Sequence, residues 1–483
     1  MLLDLLKLLN EKNNNIAIVD GEKNISYRLL NEYSDNVANN ICKEKIKDSN
    51  IAIIMNKSIQ YVISIIGILK SGNAYVPIDA SLPRKRIEYM LKVAQVSTII
   101  TKDKLVDKFI FNDCKILIYE NISEKTHKFC LENNTHNDDT AYVLFTSGST
   151  GKPKGIMISN EAAEVFVKWS IHYFNLSSED VFASHAPFNF DLSIFDIFVS
   201  LSVGGKLVLL PNGISSFMES LLKFVEKNKI TTWYSVPNVI ENVCEYLKKT
   251  NCEYSMKIKR VIYAGETMST KAARFILRNS LIELYNLYGP SETNVVMYKN
   301  VKLEDLVDKN IPLGISCEYA DIIISDGKKI ILNEGIGELL VSSKSFMKKY
   351  CQNEEYSVVE FENRLYYCTG DLVRRDKNNK IFFVGRIDNQ VKINGFRVEL
   401  EEIERCAKQI KNLRECYAHV IKDDETNIKY IELYYVSDCN KLTEEKIIRQ
   451  LKENLPEYML PQKCVKVDEV KKNERGKIIR KRI

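Results

Sequence analysis

Two periodicities of apolar residues take turns along this chain. Ile51–Met55 is a short apolar run of strand type. Ser58–Lys70 repeats its apolar positions at helical spacing, Ala74–Ile78 is strand-like again, and Arg84–Val93 and Thr98–Thr101 continue the exchange. The same order returns at Lys206–Leu210, Ser216–Asn228 and Thr231–Ser235. It returns once more at Ser269–Arg278, Ile282–Asn286 and the turn Tyr288–Glu292. Strand runs that alternate with amphipathic helices predict an α/β body.

The rhythm changes after about Gly335. Strand-like segments Glu338–Ser342, Leu365–Cys368 and Lys380–Val384 follow one another closely, and a tight connection, Gly385–Asp388, introduces the last stretch. That stretch reads Gln390–Ile393 as strand, Glu399–Lys411 as helix, Cys416–Lys422 and Ile428–Ser437 as strands, and Thr443–Asn454 as helix. The expected fold is a large N-terminal α/β body of several subdomains over 1–387, and a small, mobile C-terminal α+β lid over 388–483 that hinges at Asp388.

Length fits this division: 483 residues exceed one compact core and suggest about three structural units. The apolar fraction of 45% with 28% charge excludes a disordered, collagen-like or coiled-coil chain. The longest uncharged apolar run, Tyr61–Leu69, falls far short of the ~18 residues that cross a bilayer. Asp4 and Lys7 interrupt the apolar start of the chain, so no export signal is expected and the cytoplasm is the expected compartment. The net charge of +5 is concentrated at one end. Val470–Ile483 carries a net +6, which leaves about −1 elsewhere, so no protein-wide basic field invites nucleic acid. The 12 cysteines are scattered and the 5 histidines do not fall at ligand spacing with them, which favours reduced thiols over disulfides or zinc.

The strongest local signal is YVLFTSGSTGKPKG, Tyr142–Gly155, where an apolar strand runs into Gly, Ser and Thr residues and then two lysines. Small residues let a backbone approach an anion closely, and Lys152 and Lys154 add charge. The spacing is not that of a Walker loop, and a flexible surface loop has the same composition. The order of residues is more specific than the composition.

This loop resembles the phosphate-binding signature of the adenylate-forming superfamily, which includes acyl-CoA synthetases, luciferases and the adenylation domains of nonribosomal peptide synthetases. Eight further blocks match in order: ILKSGNAYVPID (Ile68–Asp79), FNFDLSIFDIF (Phe188–Phe198), NLYGPSETN (Asn286–Asn294), GELLVSS (Gly337–Ser343), YCTGDLVR (Tyr367–Arg374), GRIDNQVKINGFRVELEEIE (Gly385–Glu404), LPEYMLP (Leu455–Pro461) and NERGKIIR (Asn473–Arg480). The wording is nearest to free-standing adenylation domains that activate amino acids. The resemblance implies ATP as co-substrate and Mg²⁺ as cofactor. It implies that Thr146, Ser147, Gly148, Ser149, Thr150, Gly151 and Lys152 wrap the phosphates, with Thr146, Glu292 and Lys477 catalytic and Glu292 on Mg²⁺. Asn286 and Tyr288 should bind adenine, Asp371 the ribose hydroxyls, and Arg386 ribose or phosphate; Gly265 should also contact the nucleotide. Each has a plainer alternative: Tyr288 as core, Asp371 as a turn residue, Glu292 as an exposed acid, Lys477 as a solvated tail charge. In the thiol-transfer pose, Lys392–Phe396 should face the active site.

Asp191 takes the place of the aspartate that pairs the substrate's α-ammonium in amino-acid-activating members; the alternative is a cap for a helix at Leu192–Phe198. The family's pocket positions fall on Asp191, Leu192, Phe195, Tyr234, Ile262, Ala264, Leu287, Val295, Val296 and Lys477. Between its ionic ends this lining is apolar except for the Tyr234 hydroxyl, so an uncharged, apolar side chain is expected. The set resembles L-proline-selecting pockets. D-alanine or another small aliphatic amino acid is the alternative, and an acyl- or aryl-CoA ligase stands behind it. The chain ends 6 residues after Lys477 with no carrier-site motif, so the expected acceptor is the phosphopantetheine thiol of a separate carrier protein. An acidic carrier helix could dock near Lys471 and Lys472.

Overall fold

The computed structural model describes residues 2, 14–109, 111, 113–124, 136–148, 152–250, 257–278, 281–306, 310–352, 354–393, 395–422, 429–439 and 442–471. The chain divides into two compact units. The first holds 1–80, 94–144 and 155–385; the second holds 81–93, 145–154 and 386–483.

Two mainly parallel sheets build the first unit, joined by a third, antiparallel one. The nine-stranded sheet has the neighbours Glu283–Tyr288, Arg260–Ala264, Thr232–Ser235, Val181–Ser184 and Lys206–Leu209, all parallel. The seven-stranded sheet has Ala74–Ile78, Asn50–Ile54, Thr98–Thr101 and Lys115–Ile118 in that order, also parallel. Parallel strands covered on both faces are apolar throughout, and Ala74–Ile78 and Thr98–Thr101 are buried at every position. Helix Ile59–Lys70 lies among them with ten of its twelve residues buried, as an all-round apolar helix must.

Register sorts the side chains of the nine-stranded sheet. Tyr234 pairs with Ser184 and Ile262, Ile262 with Tyr285, and Ala264 with Leu287. One face therefore carries Tyr234, Ile262, Ala264 and Leu287, which share a core with Ile53 and Tyr75 of the seven-stranded sheet and with Phe166 and Trp169. The opposite face carries Trp233, Val261, Tyr263 and Leu284, packed with Leu221, Val239 and Ala273 from three helices, Met218–Lys227, Pro237–Thr250 and Thr270–Leu277. The period of two in each strand decides which residues meet the pocket side.

The second unit joins a hairpin, Gln390–Ile393 with Phe396–Glu399, to a three-stranded sheet of Glu415–Lys422, Lys429–Val436 and Lys463–Lys466. Helix Leu400–Lys408 buries Ile403 and Ala407 with Leu433 and Ile447 in one core. Segments 81–93 and 145–154, which the division by sequence assigns to the N-terminal body, group with this unit. Among the described residues no helix is long and apolar enough to cross a membrane, and the described cysteines form no disulfide.

Candidate active site

Asp191 stands at the start of an interrupted helix. One α-helical turn, Leu192–Ile194, passes into a π-helical segment, Phe195–Val199, and back to α at Ser200–Ser202. Single π turns recur at functional sites because they rotate the side chains that follow. Although Asp191 occupies the N-cap position, its side chain makes no capping hydrogen bond. Its Oδ2 instead accepts from Ser291 Oγ at 2.6 Å. The carboxylate faces Tyr142 and Tyr234: burial raises both phenol pKa values, and the Asp191 charge raises them further. Phe195 meets Tyr234 edge-on, ring centroids 5.2 Å apart.

Of the sequence-assigned pocket positions, Leu192, Phe195, Tyr234, Ile262, Ala264, Leu287 and Val295 belong to one buried cluster. Val296 packs elsewhere, with Tyr288, Met297 and Leu313. Lys477 lies outside the described residues, as do Ser149, Thr150 and Gly151.

Strand Glu283–Tyr288 sends Leu287 to the pocket face and Asn286 and Tyr288 to the other. Asn286 Nδ2 donates to the Pro312 carbonyl at 3.1 Å. The Tyr288 hydroxyl donates to Asp371 Oδ2 at 2.5 Å, so these two nucleotide candidates meet directly. A bulge carries Asp371: Glu338 pairs with Leu372 but Leu340 with Cys368, which leaves Thr369–Asp371 outside the regular ladder. Gly370 takes φ 73° there, and its N–H donates to Glu338 Oε1 at 2.8 Å, while Thr369 Oγ1 donates to the Leu339 carbonyl and accepts from the Asp371 N–H. Gly265, at φ 90°, follows strand Arg260–Ala264.

The turn after Tyr288 is tight. A Cβ on Gly289 would lie 1.7 Å from the Asn294 carbonyl oxygen, so only glycine fits. This turn presents Ser291 to Asp191 and buries Glu292 to 1% exposure. Glu292 Oε1 accepts from Tyr350 Oη at 2.8 Å, and its carbonyl accepts from the Met347 N–H. One buried carboxylate fits an ion such as Mg²⁺, which keeps most of its shell for phosphate and water oxygens. No group of three or more His, Cys, Asp or Glu forms a metal cage among the described residues.

In the second unit, Ser147 Oγ donates to the Arg397 carbonyl at 2.8 Å, Thr146 ends its strand, and Lys152 is exposed with Nζ 5.5 Å from the Tyr89 ring centroid. A Cβ on Gly148 would lie 2.3 Å from the Lys152 carbonyl oxygen, so the two ends of the loop close on each other. Arg386 grips Asp388 with two parallel hydrogen bonds, 2.7 and 2.6 Å. Burial alone would raise the Asp388 carboxyl pKa, but Arg386 holds it below its usual value.

Two contacts were not anticipated. Ser291 was legible as part of NLYGPSETN but without its partner; Tyr350 lies in the two-residue strand Lys349–Tyr350, which has no sequence pattern to mark it.

Similar proteins place the family and the fold. The family model described as AMP-binding enzyme matches residues 7–351. The chain is 30% identical to zwittermicin A synthase ZmaJ of Bacillus cereus over 96% of its own length and 91% of that protein. It is 32% identical to the D-alanine--D-alanyl carrier protein ligase of Listeria welshimeri over 95% and 93%. Its fold matches the Vibrio cholerae adenylation domain AlmE, solved with glycyl-adenosine-5'-phosphate, at a TM-score of 0.85 with 21% identity, covering 99% of this chain and 96% of that one. The chain therefore belongs to the AMP-binding enzyme family and is an AMP-forming ligase of the adenylation-domain type.

Proposed function

We propose that this ligase activates a small apolar amino acid, L-proline foremost, and transfers it to the phosphopantetheine thiol of a carrier protein. One observation carries the amino-acid reading. Asp191 has the position of a helix cap but does not cap; its carboxylate is held by Ser291 on the side that bears Phe195 and Tyr234. A carboxylate placed on the apolar pocket face suits a cationic ligand group, and the substrate's α-ammonium supplies one. Apart from the Tyr234 hydroxyl the neighbouring side chains are apolar, which favours proline's compact ring and its secondary ammonium.

In the first half-reaction a carboxylate oxygen attacks the α-phosphorus of ATP. The bond to the bridging oxygen breaks, and aminoacyl-AMP and pyrophosphate form. In the second half-reaction the carrier thiol attacks the acyl carbon, a thioester forms and AMP leaves with the bonding pair. Asp191 orients the amino group, and Tyr288, Asn286, Gly265 and Asp371 take the nucleoside. Residues 146–152, Lys477 and Arg386 neutralise phosphate charge, and Asp388 serves as the hinge between the two poses. Mg²⁺ bound by Glu292 would screen the phosphate oxygens during attack.

D-alanine is a second reading, favoured by the Listeria D-alanine--D-alanyl carrier protein ligases at 31–32% identity over 93% of their length. Exchange of labelled pyrophosphate into ATP, measured across the amino acids, D-alanine and benzoate, separates the readings. Exchange with L-proline is expected. Exchange with D-alanine alone would overturn proline, and exchange only with benzoate would overturn amino-acid activation.

A further inference from the structure

A lysine remote in sequence holds the loop that carries Asp191. Lys57 lies in the turn between strand Asn50–Ile54 and helix Ile59–Lys70 of the seven-stranded sheet. Its Nζ donates to the Ser184 carbonyl at 2.6 Å and the Ala186 carbonyl at 2.8 Å, and it stands 5.2 Å from the Phe188 ring centroid. Ser184 ends a strand of the nine-stranded sheet, so one ammonium ties the two sheets together where the loop begins. Further along, Ser193 Oγ lies 3.1 Å from the Phe188 carbonyl and 2.5 Å from the Phe190 carbonyl. Alternate carbonyls from Ser184 to Phe190 are thus held from both ends, and the next residue is Asp191.

The opposite charge comes from the π-helical segment. Asp196 is 1% exposed, and its Oδ2 has no hydrogen-bond partner. Burial raises the Asp196 carboxyl pKa to about 8 and the Lys57 charge opposes that rise; at Tyr234, burial raises the phenol pKa and the Asp191 and Asp196 charges add to it. A nearby ammonium favours the ionised form of such a buried carboxyl group. The pair is not in direct contact: the ammonium spends its short hydrogen bonds on the loop carbonyls, while Asp196 balances its charge from within the π turn.

We propose that Lys57, with Asp196 as counter-charge, is a positioning residue for amino-acid binding that sets the height and direction of Asp191. This rests on the amino-acid reading above. Lys57 touches neither substrate nor nucleotide in this account; it acts through the loop.

The test varies amino acid and ATP separately in the pyrophosphate exchange assay, with the full chain as wild type, Lys57→Met, Lys57→Arg and Asp196→Asn. In Lys57→Met, the KM for the amino acid should rise tenfold or more while the KM for ATP changes less than twofold. Lys57→Arg should recover most of the loss, and Asp196→Asn should raise the amino-acid KM severalfold. Equal shifts in both KM values, or unchanged KM with only less folded protein, would overturn the proposal. Should Lys57→Met not fold, the nearly isosteric Asp196→Asn decides by the same ratio of KM values. Wild type without amino-acid-dependent exchange would sink the functional reading itself; active wild type with an unmoved amino-acid KM in the variants would sink this inference alone.

Discussion

Two pairs of buried charges, one in each compact unit, are handled differently. In the second unit Arg86 and Glu402 meet directly at 2.6 Å, with side chains only 7% and 3% exposed. In the first, Lys57 and Asp196 influence each other without a direct contact, and the ammonium grips backbone carbonyls. A direct pair cancels itself and ties helix Arg84–Val93 to helix Leu400–Lys408. A separated pair keeps hydrogen-bonding capacity for something else, here the loop that leads to Asp191. The first arrangement serves cohesion and the second serves placement.

Breaking the direct pair should have the larger effect on stability. Arg86→Ala leaves Glu402 buried without its partner and should cost about 3–5 kcal/mol, read as a lowered denaturant midpoint of the full chain. The double change Arg86→Met with Glu402→Leu should recover most of that loss. A double variant as unstable as the single one would show that the pair does more than neutralise itself.

His185 sharpens the contrast, because it titrates beside Lys57. Burial, and then the Lys57 charge, push its pKa down to about 4, against about 6.5 in an unfolded chain. Below 6.5 the unfolded chain takes up a proton that the folded imidazole refuses. Stability should therefore fall as pH drops from 6.5 to 4, by up to about 3 kcal/mol. His185→Gln should flatten that slope, and an unchanged slope would assign the acid loss to other groups.

The smallest expected effect lies at Ser291. Ser291→Ala removes the 2.6 Å hydrogen bond to Asp191. Bonds to charged groups contribute about 1.5–3 kcal/mol, so the amino-acid KM should rise by about 10- to 150-fold, with ATP binding little changed. A KM shift for ATP instead would place Ser291 with the nucleotide.

Patterning made much of the fold legible. Strands Ala74–Ile78 and Thr98–Thr101 and helix Arg84–Val93 occur with the bounds their periodicity predicts. Most other ends move by one to three residues: helix Glu399–Lys411 is Leu400–Lys408, because helix ends fray where capping is weak, while the strand expected at Leu365–Cys368 runs on to Arg364–Arg375. Three features of the candidate site could not be read in this way. A π turn at Phe195–Val199 has the same apolar spacing as an ordinary helix over so few residues. The bulge that carries Asp371 depends on register against Glu338 and Leu340, which local propensity does not encode. Lys57 meets carbonyls 127 and 129 positions away, and no periodicity reports such a contact. In contrast, Asp191 and the pocket positions around Tyr234 were named through the resemblance of blocks such as FNFDLSIFDIF to the family, not through periodicity.

The central claim is that Asp191 reads the substrate's ammonium. It is tested most directly by comparing pyrophosphate exchange supported by L-proline with that supported by cyclopentanecarboxylate, which has the same ring and carboxylate but no amine, in wild type and Asp191→Ala. The account predicts that wild type prefers proline by about 10³-fold or more, and that Asp191→Ala collapses the preference chiefly by losing proline. Equal use of both acids by wild type, or an undiminished preference in Asp191→Ala, would contradict it.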